Sequence, residues 1–258
     1  MRPRFFVDPA SVPPLGSLLE LSSTDARHAR TVLRVRPGEP CELVLVGARA
    51  VAEAAFEEVG ERVTARLTSW VAEASAPRVE LLLVQGLPQP RKVDEIVEKG
   101  TEVGIDSFLI VPAVGSPRVP AERVAARLAR WRTVAREAAK QSRQLAIPEV
   151  RTAGSLQEAL ALVGSEGWRS LLLTPGAGEY LGSVLAGDTR TGTHGIPPAG
   201  PPVRWALWVG PEGGWSSAEV EVLTSAGCLP ATLGSRVLRT ETAGTVAGAL
   251  ARYALSDW

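Results

Sequence analysis

The spacing of apolar residues changes near residue 75, and that change divides the chain. Before it, CELVLV (Cys41 to Val46), AVAEAAFEEV (Ala50 to Val59) and RVTARLTSWV (Arg62 to Val71) are short alternating or apolar runs, broken by PGEP and VGAR turns. Such runs predict the strands of a small β-rich domain. One helix is expected within it, over DARHARTVL (Asp25 to Leu33), entered through a capping box of Ser22 and Asp25. The stretch EASAPR (Glu73 to Arg78) has linker composition. The expected domains are therefore residues 1–75 and 76–258.

Beyond the linker the pattern alternates. VELLLVQG (Val79 to Gly86) is a continuous apolar run, as a parallel strand buried on both faces requires. Val93, Ile96, Val97, Gly100 and Val103 then recur at helical spacing, and DSFLIVP (Asp106 to Pro112) is a second strand. Val124, Leu128, Trp131, Ala135, Ala138 and Ser142 predict a long amphipathic helix. SLLLT (Ser170 to Thr174), RWALWVG (Arg204 to Gly210) and CLPATLG (Cys228 to Gly234) supply three more strands, and the Ala-rich stretch Thr242 to Leu255 supplies a last helix. Strand–helix alternation of this kind predicts an α/β domain with a mainly parallel sheet. AGDTRTGTHGIPPAGPP (Ala186 to Pro202) reads as a loop.

With 258 residues the chain is long enough to bury a sizeable core. No apolar run approaches the roughly 20 residues of a membrane span. MRPRFFVDPA lacks the apolar centre of a secretion signal. The two cysteines, Cys41 and Cys228, are far apart in sequence, so neither a disulfide framework nor a zinc site is expected. With His28 and His194 alone, no metal site is expected either. The expected location is the cytoplasm, with no membrane partner. The formal net charge of zero argues against a wholly basic nucleic-acid binder, but the charge is uneven. Arg27, His28, Arg30, Arg34 and Arg36 form one group, and Arg130, Arg132, Arg136, Lys140 and Arg143 form another. Each reads equally as a phosphate-binding patch or as a solvated face.

The candidate chemistry lies near the C-terminus. GPEGG (Gly210 to Gly214) and LGSRVLRTETAG (Leu233 to Gly244) each follow an apolar strand and open a helix. Open α/β sheets hold their ligands at that end of their strands. GPEGG also has a purely structural account, with Ser216 and Glu219 as the capping box of the next helix. The second segment crowds Arg236, Arg239 and Glu241 against Thr240 and Thr242. Either threonine would serve as a helix cap, but three charged side chains beside a glycine turn are not needed for one. GAGEYLG (Gly176 to Gly182) competes as a dinucleotide fingerprint. It is interrupted by Pro175 upstream, and no acidic residue ends the following strand to hold a ribose.

LWVGPEGGWSSAEV and ATLGSRVLRTETAG resemble the two cofactor loops of the ribosomal RNA small subunit methyltransferase E family. HARTVLRVRPGE, RKVDEIVEKGTEVGI, RWRTVAREAAKQS and IPEV match the family in the same order, so the resemblance covers most of the chain. It implies a C-terminal SPOUT α/β trefoil-knot domain with a small N-terminal PUA-like, RNA-binding β-barrel. It also implies a homodimer that uses S-adenosyl-L-methionine to methylate N3 of a uridine in the decoding region of 16S ribosomal RNA, a role in rRNA processing. The substrate is this RNA or the small ribosomal subunit. Carried over, the cofactor residues are Leu173 and Thr174; Val209, Gly210, Pro211, Glu212, Gly213 and Gly214; and Leu233, Gly234, Val237, Leu238 and Thr240. The RNA-contacting residues are Arg4, His28, Arg34, Lys99 and Arg143, the last standing in for an arginine the family has where this chain has Gln144. A second departure is Ser116-Pro117-Arg118, where the family has an ERS triplet, and a third is Ser235 in place of a common proline.

Uridine N3 is a poor nucleophile until its proton leaves, so the reaction requires positioning and a cation beside the developing anion. Arg239 is the candidate cation. Glu241, ahead of Glu102 near Lys99, is the candidate for accepting the proton or orienting Arg239. Two other classes compete: an NAD(P)-dependent oxidoreductase using Gly176 to Gly182, and a noncatalytic RNA-binding protein using the β-rich domain alone.

Overall fold

The computed structural model describes residues 2–73, 79–176, 179–187 and 201–255. The expected linker at 74–78, most of the expected loop (188–200) and two residues of GAGEYLG (177–178) lie outside them. The chain divides into two compact units, one of Met1–Ala76 with Ala139–Ile147 and one of Pro77–Ala138 with Pro148–Trp258.

The first unit is built on a five-stranded sheet ordered β1-β3-β4-β5-β2, comprising β1 (Arg4–Val7), β2 (Leu18–Glu20), β3 (Pro40–Leu45), β4 (Ala50–Val59) and β5 (Val63–Glu73). β1 pairs parallel to β3 and the other pairings are antiparallel. Alternation along these strands turns Phe5, Leu43, Leu45, Phe56 and Leu67 into a common core, where Phe5 and Phe56 meet edge to face at 5.9 Å. The expected helix after Ser22 is present but changes pitch. Its first turn, α1 (Ser23–Arg27), is capped by the Ser22 hydroxyl, which accepts from the Asp25 N–H, and it widens into a π-helical segment, His28–Leu33. Arg34 ends that segment in the left-handed region at φ 53°. Asp25 is fully buried and pairs with Lys140 at 2.5 Å, which ties the Ala139–Ile147 segment into this unit. Cys41 is buried and free, and burial next to Glu42 pushes its thiol up to about 12.

The second unit is a six-stranded parallel sheet ordered β11-β9-β10-β6-β7-β8. Its strands are β6 (Val79–Gly86), β7 (Ser107–Val111), β8 (Glu149–Thr152), β9 (Arg169–Leu173), β10 (Val203–Val209) and β11 (Leu229–Ala231). The central strands β6 and β10 are buried along most of their length, so both sheet faces carry cores: Leu81, Leu83 and Trp205 on one, Leu82, Val84 and Trp208 on the other. Among the described residues six helices flank the sheet: α2 (Pro90–Glu102), α3 (Ala121–Gln141), α4 (Leu156–Ser165), α5 (Leu181–Ala186), α6 (Ser217–Ser225) and α7 (Thr240–Ala254). α7 packs against α2 and α5 and over β6 and β10. It is clamped there by buried Arg252, which donates to the carbonyls of Gly104 (2.6 and 2.9 Å) and Val79 (3.1 Å) and pairs with Asp106. No helix among the described residues is long and apolar enough to cross a membrane.

Candidate active site

Parallel strands of one sheet end together, so the loops after β9, β10 and β11 gather at one edge of the second unit. They enclose a cleft of about 540 Å³. Leu173 and Thr174 line it from the first loop, Val209 through Gly214 from the second, and Val237, Leu238 and Thr240 from the third. Of the expected cofactor residues, Leu233 and Gly234 stand apart. Leu233 packs into the core below, while Gly234, at φ 116°, lies in a turn held by the Thr232 hydroxyl.

The second loop owes its shape to close backbone approach. A Cβ on Gly210 would lie 2.8 Å from both the Gly214 carbonyl carbon and the Trp215 nitrogen, so only glycine permits this turn. Immediately after it, Ser216 and Glu219 form the expected capping box at the entrance of α6. The second Glu219 carboxylate oxygen accepts from the Val114 N–H at 2.8 Å, tying the loop after β7 to the same helix start.

The third segment departs from the cap expectation. Arg239 occupies the N-cap of α7 without a side-chain bond, and neither threonine caps the helix. The Thr240 hydroxyl instead donates to the Gly210 carbonyl at 2.6 Å. The buried Gln85 amide, at the end of β6, donates to Thr240 Oγ1 and the Gly86 carbonyl, both at 2.8 Å, and more distantly to the Gly210 and Val209 carbonyls. Gln85 therefore locks the second and third loops together. One buried polar residue inside VELLLVQG was the sequence signal for it.

Lys92, on the first turn of α2, also lines the cleft and was not singled out in the sequence. Its ammonium lies 3.1 Å from Glu241 and 3.4 Å from Glu212, and these carboxylates hold it above its ordinary value, Glu241 most strongly. Burial pushes the Glu241 carboxyl up, but its own backbone N–H, Lys92 and Arg239 outweigh that and hold it low. Glu212 follows the same balance, with the Gln89 N–H at 3.0 Å as the leading stabiliser. A carboxylate held low is a poor proton acceptor near neutral pH. Arg239 lines the cleft with an exposed guanidinium that has no ion-pair partner among the described residues.

The expected RNA-contacting residues fall in both units. In the first unit, His28 and Arg34 are exposed on the π-helical segment and at its end. Arg4 is mostly enclosed, bonded to the Gln144 carbonyl at 3.1 Å and lying 3.6 Å from Glu42. Arg143 is spent on Glu42 in a two-pronged pair at 2.9 Å. Lys99, on α2 of the second unit, is bonded to Glu102 one turn on, at 2.9 Å.

An RNA methyltransferase domain family model matches residues 75–252. The ribosomal RNA small subunit methyltransferase E of Mycobacterium bovis is 34% identical, with 98% of this chain and 92% of that protein covered. The protein of the same name from Synechocystis is 28% identical, over 95% of this chain and 75% of its own length. Among solved structures, a ribosomal RNA small subunit methyltransferase E from Neisseria gonorrhoeae bound to S-adenosyl methionine superposes with a TM-score of 0.79 at 28% identity, covering 98% of this chain and 97% of that one. A Legionella pneumophila methyltransferase in complex with the same cofactor gives 0.80 at 27% identity, with 98% and 97% covered. With a matching domain over most of its length and a relative of this identity end to end, the chain belongs to the ribosomal RNA small subunit methyltransferase E family.

Proposed function

We propose that this protein uses S-adenosyl-L-methionine to methylate N3 of a uridine in the decoding region of 16S ribosomal RNA. The observation that carries the reading is the cleft at the ends of β9 and β10, walled by three loops, two of which the Gln85–Thr240–Gly210 bonds hold together. Its volume falls in the range of about 300–1,000 Å³ usual for small-molecule sites. Its donor set suits a nucleoside with a charged tail: apolar Leu173, Val209 and Leu238 for the adenine, and glycine backbone that admits close approach. Two relatives crystallised with this cofactor support the same assignment.

When bound, S-adenosylmethionine supplies a methyl group on an electron-poor sulfur. The remaining work falls to the chain. In this reading Arg239, which lines the cleft and is exposed, faces O2 or O4 of the target uracil and stabilises the anion left when the N3 proton departs. Glu241 is assigned to positioning: its lowered carboxyl holds Lys92 and draws on the charge of Arg239. The proton then leaves to solvent. The first unit is proposed as a PUA-like RNA-binding module that presents His28 and Arg34. The return of the chain from edge strand β11 to Thr240, above β6 and β10, is proposed as the threading of a trefoil knot. Exposed Leu250 and Tyr253, three residues apart on α7, support the proposed homodimer.

The test is transfer of labelled methyl from S-adenosylmethionine to small ribosomal subunits prepared without the modification, with the product nucleoside identified. Absence of N3-methyluridine refutes the reading. Arg239→Ala is expected to remove turnover while keeping cofactor binding within a few-fold, and a wild-type rate in that variant rejects the role of Arg239.

A further inference from the structure

A second cleft, of about 490 Å³, opens at the ends of β7 and β8 in the same unit. Its walls come from the loop after β7, from α3 and from Gly154 beyond β8. The two clefts adjoin through two contacts. The chain at the end of β6 abuts the second loop, where a Cβ on Gly86 would lie 2.6 Å from Pro211 Cδ. Glu219, which caps α6 beside the first cleft, also accepts from Val114 of the second cleft's loop.

The loop is built, not slack. The Ser116 hydroxyl donates to the Leu87 carbonyl at 2.8 Å and accepts from the Ala113 N–H at 2.9 Å, closing a turn in which Gly115 takes φ 83°. This turn carries Arg118 to the rim. Arg127, on α3, lines the opposite wall, and its Nη1 is shut off from solvent without a hydrogen-bond partner among the described residues. A buried guanidinium nitrogen without an acceptor is costly and calls for an anion. The floor is apolar, with Ile110, Val111 and Trp131. Among the described residues no carboxylate lines the cleft. The two bonded to its rim, Glu158 on Gly154 and Glu219 on Val114, are engaged by backbone N–H groups.

Two arginines over an apolar floor match a nucleotide, with its phosphate on the charges and its base on the floor. We propose that this cleft is a subsite for the RNA strand, holding a nucleotide next to the target base in the neighbouring cleft. The inference rests on the RNA methyltransferase reading above and adds where the strand runs. In it, Arg118 and Arg127 bind substrate, and Ser116 is a positioning residue.

The experiment measures binding of a fluorescently labelled small-subunit ribosomal RNA fragment to the full chain across a salt series, alongside calorimetry with S-adenosylmethionine. Arg127→Met keeps the length and packing of the side chain while removing its charge, and Arg118→Ala removes the rim contact. Each is expected to weaken RNA binding about tenfold, as loss of a charge-assisted phosphate contact implies. Each should also flatten the salt slope by about 0.7, the value for one single-strand phosphate. In turnover, KM for RNA rises more than kcat falls, while cofactor affinity and melting temperature stay at wild-type values. Arg127→Lys should recover part of the affinity and the slope. Wild-type RNA affinity and slope in the Arg127→Met, Arg118→Ala double variant overturn the subsite alone. A wild-type protein that binds the cofactor but neither binds nor methylates RNA overturns the functional reading and the subsite together.

Discussion

Replacing Gln85 with leucine tests whether one amide holds the two cofactor loops in register. Leucine fills nearly the same space, so packing is largely conserved and hydrogen bonding is not. Two bonds at 2.8 Å use both amide hydrogens, and the contacts to Gly210 at 3.1 Å and Val209 at 3.3 Å share them. Two buried bonds are worth about 1–3 kcal/mol in net stability. Leaving Thr240 Oγ1 and the Gly86 carbonyl with one fewer donor adds about 1–3 kcal/mol for each group that finds no replacement. Against this, Gln85 Oε1 is buried without a partner among the described residues, and leucine removes that cost. The net expectation is a loss of about 1–3 kcal/mol, or roughly 3–9 °C in melting temperature for a chain of this size. Gln85→Glu should be worse than Gln85→Leu at neutral pH, because a buried carboxylate facing carbonyl oxygens has no hydrogen to offer. Melting curves and calorimetric titration with S-adenosylmethionine read both effects, and cofactor affinity should fall with stability. A Gln85→Leu protein that melts within 1 °C of wild type, or a Gln85→Glu protein more stable than it, refutes the lock.

Three further outcomes follow from the site. Gly210→Ala forces a methyl group to within 2.8 Å of the Gly214–Trp215 backbone, so the loop must open and calorimetry should record loss of cofactor binding. Full affinity there would show that the tight turn is dispensable. Glu241 and Glu212 are held below their ordinary values, so the contribution of their pairing with Lys92 is complete above about pH 4.3, the unfolded reference for glutamate, and fades as pH falls through the folded values. Cofactor affinity should therefore be flat from pH 8 to 5 and drop below about 4. Lys92→Met should lower the plateau severalfold and move the drop to higher pH, and an unshifted profile in that variant removes the pairing from the account. Glu219→Ala removes the α6 cap and the acceptor for Val114 together, with an expected loss of about 1–3 kcal/mol. Hydrogen exchange at the Val114 amide should accelerate in that variant, and an unchanged rate would show that another acceptor takes over.

The parallel sheet was legible because its central strands are apolar on both faces, the pattern a doubly covered strand requires, and because helical spacing alternates with them. Most strands of three or four residues were not, although β11 was read within CLPATLG. β1, β2 and β8 carry too few residues for a period to declare itself. The capping box at Ser216 was read correctly because its two partners are three residues apart. Gln85 and Lys92 were missed because the partners they hold in the two cofactor loops and at the start of α7 lie 124 to 155 residues and 120 to 149 residues away, distances at which no spacing rule operates. The same limit explains Arg4 and Arg143. Both are expected from the sequence to contact RNA, and both converge on Glu42. The segment Ala139–Ile147 belongs to the first unit because Ala139 packs on Phe6 and Val44, and chain order alone carries no trace of that contact.

The strand order β11-β9-β10-β6-β7-β8 has a consequence for how the chain is made. The half-sheet of β6, β7 and β8 is complete once residue 152 has been synthesised, but the far edge of β6 waits for β10 at Val203–Val209. For those fifty residues of translation, VELLLVQG presents a long row of unpaired backbone groups and apolar side chains. That is the kind of edge that recruits other nascent chains. Assembly of the second unit is therefore late and slow, governed by pairings of high sequence separation. Its vulnerable interval falls on the ribosome, before the cleft that would bind the cofactor exists.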